Sequence, residues 1–216
     1  MVTGVQTCAL PIFGTASTGH SGWSVKVLDI DDDGRKDVFV AGSHVVDNVE
    51  LYSPAAKYKE GCFLFRNVGE GRIEDLSGRV GADLRVAGAW RGVAAADLDN
   101  DGTLEVAVNQ LNGPAALFVK QGGAPNNWIL LDLEGTKSNR DAIGARVRLV
   151  LPSGRALHSH VTTANGIYSA SDKRVHFGLG AETSIAHVEI AWPSGIVQRV
   201  EKPGINQVLR VVEAAP

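Results

Sequence analysis

The sequence predicts an all-β protein: a partial β-propeller of two blades followed by a small antiparallel β domain. Three observations carry that expectation. Short segments rich in β-branched and aromatic residues recur along the chain, each bounded by Gly, Pro, Asn or Asp. No window sustains an apolar period of 3.6 residues, the signature of an amphipathic helix. A strand, an acidic loop and a second strand occur as one pattern twice, with Asp97 following Asp29 by 68 positions. That period fits stacked supersecondary units such as four-stranded propeller blades.

The elements follow in order. VKVLDIDDDGRKDVFVAG (25–42) is read as strand, loop and strand, with CFLFRN (62–67) behind it. VAAADLDNDGTLEVAVNQ (93–110) repeats the pattern, and AALFVK (115–120) follows it. Further strands are expected at 127–135, 145–151, 156–161, 174–180, 186–192 and 207–213. Two hairpins share one turn, ARVRLVL-PSG-RALHSHV and AHVEIAW-PSG-IVQRVEK. Proline presets φ at the second turn position, and glycine closes the turn without steric penalty. Alternation places Val147, Leu149 and Leu151 on one face, and Val188, Ile190 and Trp192 on another. Arg146, Arg148, His187 and Glu189 then face water.

Domain boundaries follow from composition. GGAPNN (122–127) separates the acidic loops from a β unit without them, which divides the chain into 13–123 and 124–216. Residues 1–12 stand apart, because VTGVQTCALPI (2–12) is similar to a translated sequencing adapter. The competing assignment is a poor signal peptide, without a basic start and interrupted by Thr7 and Pro11. On the adapter assignment the chain is the C-terminal fragment of a longer protein, and Cys62 is its only natural cysteine.

The chemistry concentrates in D-x-D-x-D-G-x-x-[DE]. In the first loop Asp29, Asp31 and Asp33 hold positions 1, 3 and 5. Gly34 makes the bend, Arg35 offers its carbonyl at position 7, and Asp37 closes the loop at position 9. The second loop has Asp97, Asp99, Asp101, Gly102, the Thr103 carbonyl and Glu105. Carboxylates this close repel unless a cation intervenes. A hard divalent ion with six to eight oxygen ligands resolves the repulsion, and Ca2+ tolerates irregular geometry better than Mg2+. These are not EF-hands, since position 12 is Val40 or Val108 in a strand. The competing assignments are solvated acidic turns without metal, or a glycosidase carboxylate pair. Asp32 and Asn100, at position 4, are expected to point outward.

Composition excludes several classes. Of 216 residues, 21 are Lys or Arg and 24 are Asp or Glu, a net charge of -3 with no basic excess for nucleic acid. No apolar run approaches the roughly 18–20 residues of a membrane span. Two cysteines, Cys8 and Cys62, exclude a disulfide scaffold and a Cys-rich zinc site. No P-loop or Rossmann fingerprint occurs, and GHSG (19–22) is not a nucleophile elbow. His158 and His160 share a strand face without an evident third ligand. Residues 138–141 form a recognition loop or an Asx-type turn. Gly178 and Gly180 suit a tight turn, Trp192 and Cys62 suit a core, and Trp23 and Trp90 suit packing between blades.

The acidic loops resemble FG-GAP (VCBS) repeats. SNRDAIGARV (138–147), HFGLG (176–180) and WPSG (192–195) resemble the ASPIC/UnbV domain. Together they are similar to the cartilage acidic protein family and its bacterial relatives. The resemblance implies a calcium-binding propeller fragment of about seven-bladed origin, secreted or at the cell surface or periplasmic. It also implies a non-catalytic role in adhesion to a protein or carbohydrate of the surface or matrix. Alternatives are an accessory protein or enzyme of secondary metabolism, as in enediyne clusters, and a purely structural spacer.

Overall fold

A computed structural model describes residues 20–122 and 126–215. The adapter-like stretch 2–12 with Cys8, and the boundary between 123 and 124, lie outside the described residues. The chain is all-β, and no α-helix occurs among the described residues. Among the described residues fourteen strands are joined by turns and by short 3-10 segments at Val49–Leu51 and Asp83–Arg85. Among the described residues no helix is long and apolar enough to cross a membrane.

The first sheet has the order β1(Gly22–Leu28), β2(Asp37–Gly42), β3(Phe63–Gly69), β4(Arg72–Asp75), and every pairing is antiparallel. The second contains β5(Trp90–Ala96), β6(Glu105–Gln110) and β7(Ala116–Phe118). The repeat read from the sequence is also a repeat of register. Leu28 pairs Asp37 and Val25 pairs Val40, as Ala96 pairs Glu105 and Val93 pairs Val108, with a register shift at the same place in both. Leu28, Phe39, Leu64, Trp90, Val93 and Val106 form one buried cluster between these sheets. Cys62 lies in it, 2% exposed, and burial pushes its thiol up to about 12.

The second part has a sheet of order β10(Ala156–His160), β9(Arg146–Val150), β12(His187–Ala191), β13(Val197–Glu201). It also has a sheet of order β11(Val175–Gly180), β8(Asn127–Glu134), β14(Val208–Val212). Both PSG turns form as expected. Gly154 and Gly195 have φ of +86 and +93, and their amides bond back to Leu151 and Trp192 at 2.9 and 3.0 Å. This is a type I turn whose next residue must be left-handed. Val147, Leu149, Val188, Ile190 and Trp192 are buried together with Ile129, Phe177 and Leu179 in a second cluster. The Trp192 indole donates to Gln198 Oε1 at 3.0 Å.

The structure adds to or departs from the expectations in several places. β4, with sequence RIED, lacks apolar alternation because it is a charged edge strand. β14 pairs β8 in parallel, so this part is not wholly antiparallel. The partners are the first and last strands of the unit, and no local turn chemistry predicts their pairing. As expected, Trp23 packs between the first two sheets, though outside the buried cluster that holds Trp90. Its ring lies 4.2 Å under the Arg91 guanidinium and stacks on Tyr168 at 6.4 Å. Asp32 does not point outward: it is 5% exposed and faces His176.

The outer edge of β5 is covered by residues 165–171. Ser169 Oγ accepts from the Val93 amide at 2.8 Å, Ser171 Oγ accepts from the Ala95 amide at 3.2 Å, and the Asn165 amide donates to the Val93 carbonyl. Covering the edge satisfies groups that would otherwise recruit another strand.

Candidate metal centres

Each acidic loop is a turn between two paired strands, and its backbone makes the cluster. Positions 4 and 6 are left-handed in both: Asp32 and Gly34 at φ of +60 and +82, Asn100 and Gly102 at +63 and +92. Gly34 N donates to Asp29 Oδ2 at 2.9 Å, and Gly102 N donates to Asp97 Oδ2 at 3.0 Å. Position 5 repeats as well. Asp33 accepts from the Arg35 amide at 2.8 Å, and Asp101 accepts from the Thr103 amide at 2.7 Å.

In the first loop Asp29, Asp31 and Asp33 bring carboxylate oxygens within 4.8 Å of one another. Asp37 stands apart from that trio. Its oxygens accept from the Ile30 and Asn67 amides at 3.0 and 2.8 Å and fasten the loop to β3. Burial pushes the Asp29 carboxyl up to about 6; Lys36 and His176 oppose the shift, and Asp32 and Asp33 add to it. Burial also pushes Asp37 up to about 6, despite its two amide bonds. Guanidinium groups partly compensate the cluster: Arg66 lies 2.5 Å from Asp31, and Arg35 lies 2.7 Å from Asp33.

The second loop gathers Asp97, Asp99 and Glu105 within the same 4.8 Å. Asp101 is exposed and outside the trio, while Glu105 is buried and accepts from the Leu98 amide at 2.8 Å. Asp97 is 1% exposed, and its Oδ1 has no hydrogen-bond partner. No Lys, Arg or His forms an ion pair with these four carboxylates among the described residues. A buried anionic oxygen without a partner is costly unless a cation meets it. The oxygen-only donor set fits a hard divalent ion. The Arg35 and Thr103 carbonyls lie at equivalent places, two residues before Asp37 and Glu105.

Other expected sites resolve differently. His158 and His160 belong to neither carboxylate group, and no described residue joins them as a third ligand. Residues 138–141 form a structural turn, in which Asn139 Oδ1 accepts from the Ile143 amide at 2.8 Å. This loop encloses a residue that no sequence motif singles out. Glu213, 3% exposed, accepts from the amides of Thr136, Lys137 and Ser138 at 2.8, 2.8 and 2.7 Å, and from the Ser138 and Ser194 hydroxyls. Burial pushes its carboxyl up, but the bonds from Ser194, Ser138 and Thr136 outweigh that and bring it down to about 2.

With this geometry in place, comparison with known proteins adds two findings. Residues 135–216 match the family described as ASPIC and UnbV. The chain is also similar to cartilage acidic protein 1 of Xenopus tropicalis, 40% identical over 58 residues. That stretch covers 27% of this chain and 9% of the relative, so the chain corresponds to a small part of that protein's length.

Proposed function

We propose that this chain is a non-catalytic, calcium-stabilised interaction module that works outside the cell or at its surface. In this reading the first two sheets are propeller blades of the FG-GAP type. The segment after residue 123 is an ASPIC/UnbV-type β domain that presents a surface to a protein or carbohydrate. The single observation that carries the reading is Asp97, buried and grouped with Asp99 and Glu105, whose Oδ1 has no hydrogen-bond partner and which no cationic side chain pairs among the described residues. Asp97, Asp99, Glu105 and the Thr103 carbonyl would hold the second ion. Asp29, Asp31, Asp33 and the Arg35 carbonyl would hold the first. Bound calcium would supply charge neutralisation, and each loop would then pin its strand pair. Likeness to cartilage acidic protein 1 and to the ASPIC and UnbV family supports an extracellular interaction role.

A site of about 10⁻⁴–10⁻³ M affinity is substantially occupied at millimolar calcium. Binding adds RT ln(1 + [L]/Kd) to stability, about 2.7 kcal/mol per site at a hundredfold excess over Kd. Calorimetric titration of the chain with Ca2+ is expected to report uptake, and a chelator is expected to lower the thermal midpoint. Asp97→Asn is expected to abolish uptake at the second loop. Equal midpoints with and without chelator, together with no heat of binding, refute the reading.

A further inference from the structure

We propose that strand β11 and the residues beside it are the outer shell of both acidic loops, so that the loops take up metal as a linked pair against a docked C-terminal sheet. The inference rests on the metal reading above. The C-terminal part touches both loops. On the first loop, the Gly180 amide donates to the Asp32 carbonyl at 2.7 Å, and Arg155 donates to the Gly34 carbonyl at 3.0 Å. On the second, Arg174 forks between the Asp97 carbonyl and Asn100 Oδ1, both at 2.6 Å. His176 Nε2 lies 2.9 Å from the Gly102 carbonyl and also 3.2 Å from Asp32 Oδ1. A carbonyl only accepts, so Nε2 carries the hydrogen. One buried imidazole thereby touches both loops.

These contacts engage loop carbonyls and the position-4 side chains, not the clustered carboxylates. Arg174 and His176 therefore orient Asp97 and its neighbours without occupying the oxygens a metal needs. Arg35 and Arg66, by contrast, sit on the carboxylates of the first loop. Outer-shell donors of this kind hold metal ligands in place, and their loss commonly weakens affinity about 10–100-fold. The glycines of HFGLG find their purpose here. A Cβ on Gly178 would stand 2.3 Å from Asp32 Cα and 2.5 Å from Asp29 Oδ2, so only glycine lets the strand approach the loop. Trp128 of β8 closes on the other loop, where a Cβ on Gly102 would meet its ring at 2.0 Å.

The contact with Trp128 supplies a local probe. Terbium(III) in the second loop is expected to emit by energy transfer from that indole, and the part of the emission that Asp97→Asn removes reads this loop. Arg174→Ala and His176→Leu are expected to weaken terbium binding about tenfold or more. His176→Gln, which keeps a donor, is expected to recover most of the loss. Where Arg174→Ala fails to fold, Arg174→Lys carries the same test, because an ammonium keeps the charge but not the fork. Linkage is read by a double-mutant cycle. Asp31→Asn is expected to weaken terbium at the second loop several-fold in the wild type and to have no such effect beside His176→Leu. Folded variants with wild-type affinity, or an effect of Asp31→Asn that His176→Leu leaves unchanged, overturn the inference while leaving the metal reading standing. No calorimetric uptake of calcium or terbium by the wild type overturns both.

Discussion

Replacing Gly102 with alanine tests two structural claims at once. Gly102 has φ of +92, where an L side chain is strained by about 1–2 kcal/mol. The added methyl would also stand 2.0 Å from Trp128 Cε2 and 2.2 Å from Cδ2, so the indole must move. Overpacking a buried ring adds roughly 1–3 kcal/mol. The expected loss is about 3 kcal/mol, or roughly 6–12 °C in midpoint for a chain of this size. Gly154→Ala is the matched control, since its φ is +86 and nothing lies within 4 Å of the methyl it would gain. It isolates the strain and should lose only about 1–2 kcal/mol. Urea unfolding of both variants in chelator, followed by circular dichroism, removes any metal contribution. If Gly102→Ala loses no more than Gly154→Ala, the close packing of Trp128 on the loop is wrong.

Glu213 should give a pH signature. Its folded carboxyl is held at about 2 against an ordinary 4.5, so its stabilisation is complete above the unfolded value and is lost as pH falls towards 2. The stability gap between wild type and Glu213→Gln should therefore narrow from pH 6 to pH 3, and a constant gap refutes the assignment. In a Cys8→Ser background, Cys62 should resist a thiol-specific disulfide reagent until denaturant is added, because burial holds its thiol at about 12. Rapid native labelling would contradict its burial. Leu149→Ala, at a site 0% exposed in the second core, should destabilise by about 2–5 kcal/mol in urea titration; a loss below about 1 kcal/mol would place Leu149 outside a packed core.

Much of the fold is legible from local pattern. Alternation in 145–151 and 186–192, with PSG between arms, gives both hairpins their partners and faces, because turn geometry and a period of two set register together. The acidic loops are equally local: Asp at positions 1, 3 and 5 with Gly at 6 already implies the left-handed bend. What escapes is non-local or charged. RIED forms β4 only because β3 lies beside it. Asp37 matches the ligand spacing, yet it serves the amides of Ile30 and Asn67, the second of which is 30 residues away. Glu213 is an ordinary glutamate in the sequence until the chain end returns to the amides of 136–138.

The amino-acid order alone determines most of the strands, their buried faces and two bends crowded with carboxylates, since each depends on residues within one turn or one pleat. Only the tertiary structure decides that β8 and β14 run parallel, that Asp32 turns inward, and that His176 meets both bends. Those outcomes depend on groups more than 70 positions apart, which become neighbours only after the chain has closed its loops.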